Sequence, residues 1–299
     1  MLSLMQIPVG SVPIERPCLY LVATPIGNLA DITLRALSVL AGCDLLLAED
    51  TRVTRKLLDH YGIACGVSAL HEHNEREVAA GLVARIADGG LAVALVSDAG
   101  TPLVSDPGYV LVQAALAAGI PVRAAPGPSA VLTALCVSGL PSDRFSFEGF
   151  LPAREQAARA LLSGFAEEPR TLLFFESPRR IRRTLELVRD TMGAARVIAV
   201  ARELTKLHET VYRGPAGEVA DAVAADTFGS TGEFVVAIGP APPRAADSAA
   251  IGELLKALAP HLPRSQAVEV ASAYLGCPRN EAYRVALELD VEFSRAALG

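Results

Sequence analysis

Tryptophan is absent from the 299 residues, and aromatic side chains make up only 5% of them. A core built from this chain therefore rests on Ala, Val, Leu and Ile, the side chains of buried parallel sheets and their covering helices. Cysteine is scarce and dispersed: Cys18, Cys43, Cys65, Cys136 and Cys277 form no CxxC pair and no His/Cys group at ligand spacing. That pattern excludes a disulfide framework and a structural zinc site, and it points to reduced thiols in a cytoplasmic protein. Basic charge is in deficit, with 27 Lys and Arg against 33 Asp and Glu. The balance argues against indiscriminate nucleic-acid binding, so any RNA contact has to come from local patches.

A membrane-spanning run is also missing. Between Pro107 and Ser142 the only charge is Arg123, yet Pro121, Pro126, Gly127 and Pro128 cut the stretch into pieces too short to cross a bilayer. It reads as two core helices flanking a strand. Residues 1–16 are apolar but lack a basic start and are broken by Pro8, Gly10 and Pro13, so they read as a loose extension rather than a signal peptide.

What is present is an alternation of strand and helix signals. Strands are expected at 18–23, 44–48, 91–96 and 120–124, with helices at 33–41, from 52, at 74–87 and at 109–118. That order predicts a mostly parallel sheet. A second half carries strands at 144–150, 171–175, 196–200 and 233–238 and helices at 154–165, 178–191 and 217–225. Residues 240–243, Pro-Ala-Pro-Pro, read as a linker, and the chain beyond 249 reads as helical only. The expected organisation is an extension (1–16), two α/β domains (17–125 and 126–240) and a small helical region (249–292).

The chemistry-bearing residues fall in the loops after the strands, where open α/β sheets place ligands. The first loop, Thr24-Pro25-Ile26-Gly27-Asn28, lacks the GxGxxG of a dinucleotide site. The second groups Glu49, Asp50, Thr51 and Arg52; helix capping accounts for Asp50 or Thr51 but not for Glu49 and Arg52. The third, Ser97-Asp98-Ala99-Gly100-Thr101-Pro102 followed by Ser105-Asp106-Pro107-Gly108, has more small polar residues than a plain turn needs. In the fourth, Pro126-Gly127-Pro128-Ser129-Ala130 opens a helix whose N–H groups can meet an anion. In the second half, Glu176 precedes Ser177-Pro178-Arg179-Arg180, and residues 201–209 bring Arg202, Glu203, Lys206, His208 and Glu209 together.

In this order, VATPIGNLADITLRAL, LAEDTR, HEHNE, SDAGTPLVSDPG, PGPSA, FFESPRR, ARELTKLHE and GEFVVAIG resemble the ribosomal RNA small subunit methyltransferase I family, of the tetrapyrrole-methylase fold. The likeness covers about residues 18–239. It implies two α/β domains of the tetrapyrrole-methylase type with S-adenosylmethionine in a cleft between them, and a homodimer. It also implies 2'-O-methylation of a cytidine ribose in the decoding region of small-subunit (16S) rRNA. The residues it implies as cofactor contacts are Pro25, Ser97, Asp98, Ala99, Ser129, Ala130, Glu176 and Arg202. Relatives that methylate tetrapyrrole carbons carry a GxGPGDP-like first loop and a GDPxxY-like third one, and this chain has neither.

A ribose hydroxyl is a weak nucleophile, so alignment with the donor and a base or charge favouring the alkoxide would both help. Asp50, Glu203 and Lys206 are the candidate catalytic residues, with Glu49 and His71 beside them. Arg52, Arg179, Arg182 and Arg183 are the candidate RNA contacts, the last three on one expected helix. Residues 275–284 resemble the turn and second helix of a helix-turn-helix. A tetrapyrrole C-methylase, or a ligand-sensing DNA-binding regulator, are the rival readings.

Overall fold

The computed structural model describes residues 13–71, 73–242, 248–289 and 291–294. In the first half the strands are β1 (Cys18–Val22), β2 (Leu45–Ala48), β3 (Val67–Ala69), β4 (Ala92–Val96) and β5 (Val122–Ala125). They alternate with helices α1 (Leu34–Gly42), α2 (Thr51–Tyr61), α3 (Glu75–Gly89) and α4 (Tyr109–Ala117). The sheet order is β3-β2-β4-β1-β5 and each pairing is parallel. Both faces are covered, which is why Ala92–Val96 is apolar throughout and buried at every position. Leu19, Leu47, Leu95, Ile86 and Leu111 fill one face, and Val22, Leu37, Leu40, Leu46 and Leu57 the other. Each such side chain contributes about 1.5–3 kcal/mol on burial.

Local chemistry sets the helix ends. The Thr33 hydroxyl accepts from Ala36 N–H at 3.1 Å, and Asp50 accepts from Arg52 N–H at 2.8 Å. Gly62, at φ 64°, closes α2 in the left-handed region. Helix α4 has no side-chain cap of its own, and the buried Glu75 accepts the Leu111 N–H at 2.9 Å instead.

The second half contains α5 (Ala130–Ser138), β6 (Phe145–Phe150), α6 (Glu155–Gly164), β7 (Thr171–Glu176) and α7 (Ile181–Met192). These are followed by β8 (Val197–Arg202), β9 (Thr210–Pro215), α8 (Ala216–Ala225) and β10 (Phe234–Ile238). The order is β6-β7-β10-β8-β9; only β6 and β7 are parallel, and the other three pairings are antiparallel. The second sheet is thus mixed, unlike the first. Two strands, the three-residue β3 and the edge strand β9, were not expected from the sequence. Helix α7 starts at Ile181, so Arg179 and Arg180 sit in the turn before it rather than on the helix.

Both sheets belong to one compact unit, the described residues up to 166 together with 170–239. Of the extension expected to be loose, residues 1–12 lie outside the described residues. Residues 13–16 are held: Arg16 pairs with Asp44 at 2.9 Å and Glu15 with Arg123 at 2.9 Å. Residue 243 of the expected linker also lies outside the described residues. The described cysteines are all unpaired thiols, although Cys43 and Cys65 bring their sulfurs to 3.5 Å. No helix among the described residues is long and apolar enough to cross a membrane.

The second unit holds α9 (Ser248–Leu258), α10 (Arg264–Leu275) and α11 (Arg279–Glu288). Ile251, Leu255, Val268, Ala271, Ala282 and Val285 form its core. Gly276 at φ 64° ends α10, and Pro278 leads into α11.

Candidate active site

The parallel sheet sends the loops after β1, β2, β4 and β5 to one edge, and hydrogen bonds lace them together. Thr24 N–H donates to Gly100 O at 2.9 Å, Gly100 N–H returns to Thr24 O at 3.0 Å, and the Thr24 hydroxyl donates to Ser97 O at 3.2 Å. Asp50 N–H donates to Asp98 Oδ1 at 2.9 Å, and the Thr101 hydroxyl to Pro128 O at 3.1 Å. The third loop is strained as well: Leu103 and Ser105 hold φ of 73° and 67°. Side-chain-bearing residues in that region cost about 1–3 kcal/mol each and concentrate at functional sites.

A cavity of about 370 Å³ opens beside this lacing. The first half supplies Ile26, Ala99, Gly100 and Asp106; Ser129 and Ala130 enter from the start of α5. Phe175, Leu204, Glu233 and Val235 of the second sheet and its loops complete the wall. The lining is thus apolar, with a few carboxylates and small residues that admit backbone contact, the usual composition of a small-molecule site. Burial pushes the Asp106 carboxyl above its ordinary range; a Ser97 hydrogen bond opposes this and the Asp98 charge adds to it.

The expected cofactor residues divide among three places. Ala99, Ser129, Ala130 and Glu176 line this cavity. Pro25, Ser97 and Asp98 line a second one of about 280 Å³, with Leu29, Val53, Thr54, Lys56 and Leu57. Arg202 lines neither: it is buried, its Nε donates to Thr231 O at 2.9 Å, and its guanidinium lies 6.0 Å from the Phe228 ring centre. Glu176 is also committed elsewhere than the sequence suggests. Its buried carboxylate accepts from Ser177 N–H at 2.6 Å, the Thr184 hydroxyl at 2.6 Å and Arg180 at 3.0 Å, which ties β7 to the start of α7.

The candidate catalytic groups form two separate ion pairs. Asp50 pairs with Arg52 at 2.6 Å, and the hydrogen bonds from Arg52 hold its carboxyl down at about 2. Glu203 meets Lys206 at 2.8 Å, and Lys206 also reaches Glu233 at 3.1 Å. Burial raises the Glu203 carboxyl, but Lys206, the Glu233 N–H and Arg202 bring it below its usual value. Burial likewise opposes the Lys206 charge, and the two carboxylates outweigh it, so Lys206 is held as an ammonium. Glu49 behaves oppositely: burial pushes its carboxyl up, and Asp106, Asp98 and Asp50 push it further.

Of the expected RNA contacts, Arg183 is paired with both Glu155 and Glu186. Arg52 is 87% exposed on its side chain while paired with Asp50. Arg179 and Arg182 are exposed. Glu233 was missed as a site residue, and Asp106 was read only as part of the third loop with no role of its own. Their signal was position, since Asp106 closes the small-residue loop and Glu233 precedes an apolar strand. Among the described residues no group of three or more His, Cys, Asp or Glu is placed to hold a metal.

Residues 18–220 match the family described as Tetrapyrrole (Corrin/Porphyrin) Methylases, and residues 245–290 match the RsmI C-terminal HTH domain. The chain is 51% identical over 278 residues to ribosomal RNA small subunit methyltransferase I of Mesorhizobium japonicum, covering 93% of each chain. It is 46% identical to the Escherichia coli O157:H7 protein of that name, covering 90% of this chain and 94% of the relative. Its fold resembles uroporphyrin-III-C-methyltransferase from Thermus thermophilus, with a TM-score of 0.52 at 20% identity, covering 76% of this chain and 96% of that one.

Proposed function

The chain belongs to the tetrapyrrole methylases and, among them, to the ribosomal RNA small subunit methyltransferase I family, and from that premise we propose that it moves a methyl group from S-adenosylmethionine to a cytidine ribose 2'-OH in the decoding region of small-subunit rRNA. The observation that carries the donor half is the first cavity, apolar in the main and walled by the Ala99–Gly100 and Ser129–Ala130 turns.

The residues present suit S-adenosylmethionine. Ile26, Val104, Phe175 and Val235 offer apolar surface to an adenosine, while Asp106 and Glu233 offer negative charge to an ammonium or sulfonium. The N-terminus of α5, where Ser129 accepts the Leu132 N–H at 3.4 Å, presents N–H groups to a carboxylate. When bound, the cofactor supplies an electrophilic methyl group. The chain contributes alignment, exclusion of water and a destination for the hydroxyl proton.

The two ion pairs limit who can take that proton. Asp50, held near 2, is too weak a base, and Lys206 is already protonated. Lys206 is instead suited to stabilise developing alkoxide charge. Among Glu49, Asp50 and Glu203, Glu49 alone has its carboxyl raised, by burial and by three neighbouring acids. It follows Ala48, which pairs in register with Val96, and this sets it beside the Ser97–Asp98 turn. Glu49 therefore takes the base role in this reading.

The rRNA branch is favoured over the tetrapyrrole branch by the 46–51% identity to the rRNA enzymes, against 20% to the porphyrin methylase, and by the matching C-terminal domain. The test is transfer of tritiated methyl from labelled cofactor to small subunits, free rRNA and a uroporphyrinoid in parallel. Label in the uroporphyrinoid alone would overturn the reading. A cytoplasmic homodimer belongs to the same proposal, and light scattering that reports a monomer at working concentration would refute that part.

A further inference from the structure

We propose that the second cavity, between the first loop and α2, receives the acceptor nucleoside of the RNA; this rests on the reading of the chain as an rRNA methylase. The two cavities are divided by one thin partition. Pro25 and Gly27 line the second and Ile26 between them the first; Ser97 and Asp98 line the second, and Ala99 and Gly100 the first. The paired hydrogen bonds between Thr24 and Gly100 pin that partition. A group bound on one side is therefore next to a group bound on the other, as transfer of a methyl between them requires.

The second cavity also has surface that the fold leaves uncovered. Leu29 and Val53 are both 39% exposed and stand in its wall, whereas Leu57 below them is buried. Tyr61 donates its hydroxyl to Leu29 O at 2.6 Å, fixing the loop against the end of α2. Two fixed apolar side chains suit the faces of a nucleobase taken out of its stack. Lys56 lines the same cavity, and the exposed Arg55 lies on the same helix, so cationic charge for the flanking phosphates is at hand. Asp98, already fixed by the Asp50 N–H, presents an acceptor to a nucleoside hydroxyl or amino group. A volume of about 280 Å³ suits one nucleoside better than a tetrapyrrole macrocycle.

The test uses the full chain with Val53→Ser and Lys56→Gln, both at exposed positions, singly and together. Cofactor affinity is measured by calorimetry, and methyl transfer is measured against small-subunit concentration. The expected result is a rise of about tenfold in the KM for subunits in the double variant, the loss of one base contact and one phosphate contact. Cofactor affinity stays within about twofold, which also shows that the variant folds. An unchanged KM, or a fall in cofactor affinity as large as the rise in KM, overturns the proposal. A wild-type chain that methylates no form of the rRNA overturns the functional reading itself and this inference with it.

Discussion

Lys206 lies across Gly27 so closely that a Cβ on the glycine would stand 2.5 Å from the lysine Cγ, with Leu204 O at 2.9 Å beyond it. The loop after β1 and the loop after β8 thus close on one another at the edge of the site. Gly27→Ala should displace the Lys206 loop, cost about 1–3 kcal/mol in urea unfolding and lower methyl transfer. Full activity in that variant would show that the Lys206–Glu203–Glu233 cluster is not coupled to the chemistry.

Glu176 gives a contrasting expectation. Its carboxylate is fully buried and satisfied by Arg180, Thr184 and Ser177. Glu176→Ala should cost about 2–4 kcal/mol in denaturant unfolding, because removing one partner leaves the others unpaired. If the variant is as stable as the parent but loses cofactor affinity, the residue is a direct contact and not the tie between β7 and α7.

Asp106 should give cofactor binding a pH dependence. Its folded carboxyl is raised, first by burial, so it takes up a proton at a higher pH than a free aspartate. A cationic ligand needs the carboxylate. Affinity for S-adenosylmethionine should therefore fall as pH drops through this raised range, and Asp106→Asn should flatten the profile in calorimetry. The same slope in parent and variant would remove Asp106 from the site.

The arginines after β7 should separate into two classes. Arg183 is occupied by Glu155 and Glu186, so Arg183→Ala should change stability by about 1 kcal/mol at most and leave subunit binding alone. Arg179 and Arg182 are exposed, and replacing both should weaken subunit binding and reduce its salt slope by about 1.4–1.8. If Arg183→Ala weakens binding as much as the pair does, the ion pairs open on RNA.

The sequence alone determined the alternation of apolar strands with amphipathic helices and the small-residue, charged loops that follow the strands. Runs such as Ala92–Val96 can only be buried on both faces, and small residues at strand ends tolerate close backbone approach whatever surrounds them. Tertiary structure decided the rest. Strand β10 inserts between β7 and β8 antiparallel to both, a choice made by long-range pairing that no local pattern encodes. Strand β9 begins with the strand formers Thr210, Val211 and Tyr212 but ends on Gly214 and Pro215 at an edge, and its partner β8 fixes its extent. Arg202 and Glu176 occupy motif positions, yet one turns to Thr231 and the other to Arg180, because a buried charge goes to whatever partner the fold brings within reach. The division of the site into two cavities likewise depends on Thr24 and Gly100, 76 residues apart in the chain and hydrogen-bonded only once β1 and β4 lie side by side.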